Sequence, residues 1–183
     1  MISRLNRFAR DSRGIAAIEM AFIMPLLLLL YFGLFDLTAL ITLNRKISYS
    51  ASVVADLVSQ NKTTVTAAKI TDYFDAAELV MSPTPVANVR IDLYGYYDNS
   101  GTITQRWSES STGGSACSAP STTSMDELMT DGNDVVVAVV CTQYTPYIAT
   151  FLGENILGAT SFTLREEIAL RPRMTATLAC TGC

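Results

Sequence analysis

From Met20 to Phe35 the chain runs sixteen residues without a charge, and beyond Asp36 the apolar character resumes from Leu37 to Leu43. Taken as one helix at about 1.5 Å per residue, positions 20–43 would span roughly 36 Å. That is enough to cross a hydrocarbon core of about 30 Å with some tilt. Asp36, Thr38 and Thr42 fall near the far end of the run, within reach of headgroups or water. Ile47, Ala51, Val54, Leu57 and Val58 then recur at helical spacing. The helix is therefore expected to continue past the membrane and pack an amphipathic stripe on a globular body. Asn61-Lys62-Thr63 breaks that pattern. A second helix is predicted over Thr64–Met81, with Ala67, Ile70, Phe74, Ala77 and Val80 on one face, and Ser82-Pro83-Thr84-Pro85 ends it.

The period then changes from helical to alternating. Val89, Ile91 and Leu93 alternate with Arg90, Asp92 and Tyr94, a half-buried strand through about Tyr97. Asp98-Asn99-Ser100-Gly101 reads as a turn, and Ile103–Trp107 should pair back as a hairpin. Residues 108–124, rich in Ser, Thr and Gly, read as a mobile surface loop. Asp134–Tyr144, with its Val135–Val140 run, is a buried central strand. Tyr147–Leu152 suggests a helical turn ended by Gly153, and Ser161–Leu170 a last strand before Pro172. The expected class is α+β: a long N-terminal transmembrane helix extending into a body with a second helix and an antiparallel sheet.

Charge is distributed unevenly. Of thirteen Lys and Arg, four (Arg4, Arg7, Arg10, Arg13) lie in residues 1–14, against a single acid there, Asp11, out of seventeen in the chain. The remainder carries nine basic and sixteen acidic residues, a balance of −7. An acidic body lacks the clustered Lys and Arg that nucleic acid requires. By the positive-inside rule the basic leader stays cytoplasmic and the body is sent outward, a bias that Arg45 and Lys46 weaken without reversing. The absence of histidine removes Ser-His-Asp and Cys-His catalysis and most mixed-ligand zinc sites. A cleaved signal peptide would have a shorter apolar region and a small-x-small site after it. A plain signal anchor accounts for everything except Glu19, a carboxylate at the edge of the apolar run.

Gly14-Ile15-Ala16-Ala17-Ile18-Glu19 supplies the missing explanation. A basic leader, a glycine, four mostly small or apolar residues, a glutamate and an apolar helix make up the prepilin-type processing pattern. The run from Ala16 through Glu19, Pro25 and the five leucines Leu26–Leu30 resembles the TadE-like family, minor pilin-like (pseudopilin) proteins of the tight-adherence (Tad, or Flp) pilus system. The resemblance covers about residues 12–58. It implies cleavage after Gly14 by a prepilin peptidase, with Ile15 as the mature N-terminus and Glu19 as its fifth residue. That carboxylate would pair with the free amine of a neighbouring subunit, because two charges in low dielectric cost far less together than apart. Pro25 removes a helical hydrogen bond; it either permits local melting during assembly or is a tolerated kink. Met20 stands where major Tad pilins usually have tyrosine, and the body is larger than theirs, which favours a minor subunit.

The implied organisation is a cytoplasmic leader over 1–14, a transmembrane helix over 15–45 and an extracytoplasmic, periplasmic α+β domain over 46–183. Implied partners are the bacterial inner membrane, a prepilin peptidase, other pilin-like subunits and the Tad secretion machinery. No cofactor, metal, small-molecule substrate or enzymatic activity is expected. The alternative is a membrane-anchored periplasmic binding or sensor protein that stays outside any pilus.

Other constellations have simpler readings. Cys117, Cys141, Cys180 and Cys183 allow three disulfide connectivities, with a four-thiolate zinc site as the competing use. Cys117 with Cys141 is the preferred bond because it would tether the Ser-rich loop, and Cys180 with Cys183 is its companion. Cys180-Thr181-Gly182-Cys183 has the spacing of thiol oxidoreductases but no following helix to lower a thiol pKa. Asp72, Asp75 and Glu78 fit a solvated helix face better than a metal cluster. Glu166 and Glu167 point to opposite faces of a strand. Asp131-Gly132-Asn133-Asp134 has the start of a calcium loop without its twelfth ligand and reads as a turn. Tyr94, Tyr96, Tyr97 and Trp107 could make a sugar-binding surface, but cross-strand packing explains them.

Overall fold

Helix α1 runs 47 residues, Arg13–Ser59, and carries Pro25 inside it. Its Leu, Ala and Met content favours helix, and it has the length and apolar character to cross a membrane. The computed structural model describes residues 13–122, 125, 128–129, 131–152 and 161–183. The leader residues Arg4, Arg7, Arg10 and Asp11, and the expected helix stop Gly153, lie outside the described residues. The fold is α+β, with two compact units: Met1–Ala39 together with Pro146–Thr160, and Leu40–Thr145 together with Ser161–Cys183.

In the first unit, α1 presents its apolar side chains outward; Phe22, Leu26 and Tyr31 are all more than half exposed. Thr38 satisfies its hydroxyl on the Leu34 carbonyl at 2.9 Å, as a polar residue in an apolar helix must. The unit also holds a short helix, Tyr147–Leu152.

The second unit contains the sheet. After α1 come β1 (Thr64–Thr66), α2 (Ala67–Met81), β2 (Val89–Asn99), β3 (Thr102–Ser110), β4 (Asp134–Tyr144), β5 (Phe162–Leu170) and β6 (Ala179–Thr181); the short helix of the first unit, α3, lies between β4 and β5 in sequence. Four antiparallel strands are ordered β3-β2-β4-β5. The β2–β3 hairpin turns on Ser100 and Gly101, both at positive φ, the two-residue turn that suits the strand twist. Alternation sorts the core. Val136, Ala138 and Val140 join Ile91, Leu93 and Trp107 beneath Ile47, Ala51, Val54, Ile70 and Phe74 of the helices. Val135, Val137 and Val139 face the other way, onto Tyr96, Met125 and Met129.

Several expectations need correction. Thr64–Thr66 is a strand, not the first turn of a helix: it pairs in parallel with β6, and the Thr66 hydroxyl caps α2 by accepting the Lys69 N–H at 3.3 Å. Phe162–Leu170 is consequently not the last strand. On α2 it is Met81 rather than Val80 that is fully buried. β2 is buried on both faces, Asp92 included. The described part of 108–124 is no free loop. β3 extends to Ser110, and the Ser111 hydroxyl accepts the Ile91 N–H at 2.9 Å. Gly114 donates to the Ala87 carbonyl at 2.8 Å, and the Cys117 N–H donates to Asp92 at 3.2 Å. Gly114 sits at φ +61°, and a Cβ there would lie 2.9 Å from the Arg90 nitrogen.

Candidate functional site

The residues singled out near the start of α1 lie on its first turns. Ile15 and Glu19, four apart, share one helix face. Ile15 is exposed, Glu19 is exposed, and a Cβ at Gly14 would meet nothing within 4 Å. Among the described residues Glu19 has no hydrogen-bond or ion-pair partner. Pro25 lies farther along and, with Ala21, Met24, Leu28, Leu29 and Phe32, lines an apolar groove of about 370 Å³ that Ile148 closes on one side.

Asp36 is the functional-looking residue that sequence reasoning misplaced. It is not turned to water: only 7% of it is exposed. Its two carboxylate oxygens accept the backbone N–H groups of Tyr147 and Ile148 at 2.7 and 2.8 Å. A carboxylate at a helix start satisfies donors that the helix itself cannot. The only sequence signal was Pro146, just ahead of a short apolar stretch.

Residues 14–56 match the family model described as TadE-like protein. The chain has a TadE-like N-terminal segment. Searches of curated proteins and of solved structures found no match. The TadE-like segment covers Gly14, Ile15, Glu19, Pro25 and Asp36, and extends into the buried stripe of α1 that holds the body.

Outside the TadE-like segment, the other candidate groups are dispersed. Cys117 is bonded to Cys141, and Cys180 to Cys183. Asp75 and Glu78 line an open cleft of about 490 Å³ with Leu79 and the 82–85 turn. Partial burial, and then the neighbouring Asp75, push the Glu78 carboxyl above its usual range. Asp72 is exposed on the same helix. Glu166 and Glu167 are successive on β5, where Glu167 pairs with Arg165 at 2.6 Å. Among the described residues no three His, Cys, Asp or Glu side chains are grouped so as to hold a metal ion. Asp131-Gly132-Asn133 clasps the hairpin end, accepting the Ser100 N–H on Asp131 at 2.7 Å and exchanging backbone bonds with Asp98. The aromatic residues do not form one surface: Tyr94 stacks on Tyr96, Tyr97 lies under the Arg106 guanidinium, and Trp107 is buried.

One cluster, built around the buried Asp134, carries no signal in the sequence. Pairing shifts between Gly95 and Tyr96, so Arg106 is the extra residue of a bulge on β3. The bulge re-aims its side chain. Arg106 bonds Asp134 at 3.1 Å, while Asp134 also accepts the Leu178 N–H and Trp107 donates its indole N–H to the Leu178 carbonyl at 3.0 Å. Both backbone groups of Leu178 are thus held by side chains. Burial pushes the Asp134 carboxyl above its usual range, against the lowering effects of the Leu178 amide and of Arg106.

Proposed function

We propose that this chain is a structural, non-enzymatic subunit of a Tad-type pilus, a minor pilin or pseudopilin needed for pilus biogenesis and surface attachment. The observation that carries the reading is the TadE-like match over residues 14–56, on a helix that holds Gly14 in its first turn and places Glu19 one turn after Ile15. A prepilin peptidase cuts after Gly14, and the new Ile15 amine becomes the mature terminus. Glu19, exposed on that helix, then meets the free amine of a neighbouring pilin-like subunit, since an unpaired carboxylate inside a bilayer is costly. The leader, 1–14, stays in the cytoplasm; 15–45 crosses the inner membrane once; 46–183 is periplasmic and contacts the secretion machinery.

Coexpression with a Tad prepilin peptidase, followed by mass spectrometry of the N-terminus, tests the processing step. A chain starting at Ile15 is expected; an intact Met1 chain, or a cut beyond Leu43, rejects it. Glu19→Ala should leave processing in place and reduce pilus-dependent attachment. Unchanged attachment removes the assembly role of the carboxylate.

A further inference from the structure

Asp36 is the one charge in the apolar stretch from Met20 to Leu43, and both of its carboxylate oxygens accept backbone N–H groups. What it holds is suited to the same apolar surroundings. Pro146 has no N–H to satisfy; Tyr147 and Ile148 donate to Asp36; Ala149 donates to the Pro146 carbonyl at 3.2 Å. From 146 to 149 no backbone donor is left over, which is the condition for placing chain in or beside hydrocarbon. Carboxylate acceptors make those bonds short and strong.

The side chains follow suit. Tyr147–Leu152 contains no charge. Tyr147 is 60% exposed and meets Phe35 edge to face at 5.3 Å, an aromatic pair at the end of the uncharged run, where membrane–water boundaries collect such rings. Ile148 and the Met24–Phe32 stretch of α1 bound the 370 Å³ groove, whose lining is apolar throughout. The groove is continuous with the outward-facing Leu26–Leu30 surface, so the medium at its mouth is whatever surrounds that surface.

We propose that Pro146–Leu152 is a second membrane-seated element, docked on α1 by Asp36, and that a phospholipid acyl chain fills the groove between Ile148 and α1. The proposal rests on α1 spanning the bilayer. It extends that reading by giving the protein a membrane contact far along the chain from its N-terminal helix, and by assigning Asp36 a positioning role distinct from that of Glu19.

The test uses the full chain in vesicles of phosphatidylethanolamine and phosphatidylglycerol, with p-benzoylphenylalanine placed singly at Tyr147, at Leu28 or at Thr104. After irradiation, lipid adducts are read by mass spectrometry. Adducts at 147 and 28, severalfold above the level at the exposed strand residue Thr104, are expected. Adducts at 28 but none at 147 overturn the proposal and leave the spanning reading intact. Crosslinked dimers at 147 in place of lipid adducts assign the groove to a second copy and also overturn it. Loss at both positions overturns the spanning reading and the proposal with it. In Asp36→Ala, the adduct at 147 should fall severalfold while that at 28 is unchanged. An unchanged yield at 147, with both disulfides formed, would sink the docking role of Asp36.

Discussion

Trp107 stands opposite Gly95 across the β2–β3 pair, and its indole occupies the space that a side chain at position 95 would need. A Cβ on Gly95 would lie 2.2 Å from the indole nitrogen and 2.3 Å from the adjoining ring carbon. The glycine is required here for close approach rather than for a turn. Gly95→Ala must displace a buried ring that also holds Leu178, and overpacking of this kind costs about 1–3 kcal/mol. Trp107 is the only tryptophan in the chain, so its fluorescence during denaturation of the full chain in detergent reports the loss directly.

Asp134 gives the body a pH-dependent component. Its folded carboxyl titrates above the usual range, so its contribution is greatest when protonated and declines as pH rises from the ordinary carboxylate range through the elevated one. Asp134→Asn removes that titration. The Tm of the variant minus that of the parent should therefore increase with pH across this window and then level off. A difference that is flat with pH would remove Asp134 as the source.

The two disulfides should contribute unequally. Cys117 and Cys141 are 24 residues apart, Cys180 and Cys183 only three. Loop-entropy arguments give about 3.5 kcal/mol for the first and about 2 kcal/mol for the second. Paired Cys→Ser replacements measured by denaturant unfolding should keep that order. Limited proteolysis adds a local readout: reduction should open the 111–122 segment to cleavage that the oxidised chain resists.

Met125 is fully buried against the second face of the sheet. Met125→Ala should destabilise the body by about 2–5 kcal/mol, the range for emptying a core site. If the segment were only a solvated loop, the effect on Tm would be negligible.

Local patterns were readable from the sequence, and distant partnerships were not. The β4 valines announced a buried central strand, and the Ile47–Val58 stripe announced the continuation of α1 onto the body. Nothing periodic marked Met125 and Met129 as the cover for one face of that strand, because they sit in a stretch without helical or alternating spacing. β1 and β6 are three residues each, too short to show a period, and they exist through pairing with each other across the length of the body. The same division holds for the candidate sites. Gly14 and Glu19 are five residues apart and could be counted. Asp36 and Tyr147 are separated by 111 residues, so the capping role appears only once the chain is folded. The Arg106 bulge was equally silent, since an extra residue in a strand leaves the alternation almost intact.

Closing Cys117 onto Cys141 changes what kind of object the chain is. A reduced polypeptide is a thread and can pass through a narrow channel end first. A chain closed into a loop from Cys117 to Cys141 is wider than a thread and resists such passage until it is reduced. Oxidation thus commits the body to its folded form in any compartment that keeps the bond closed.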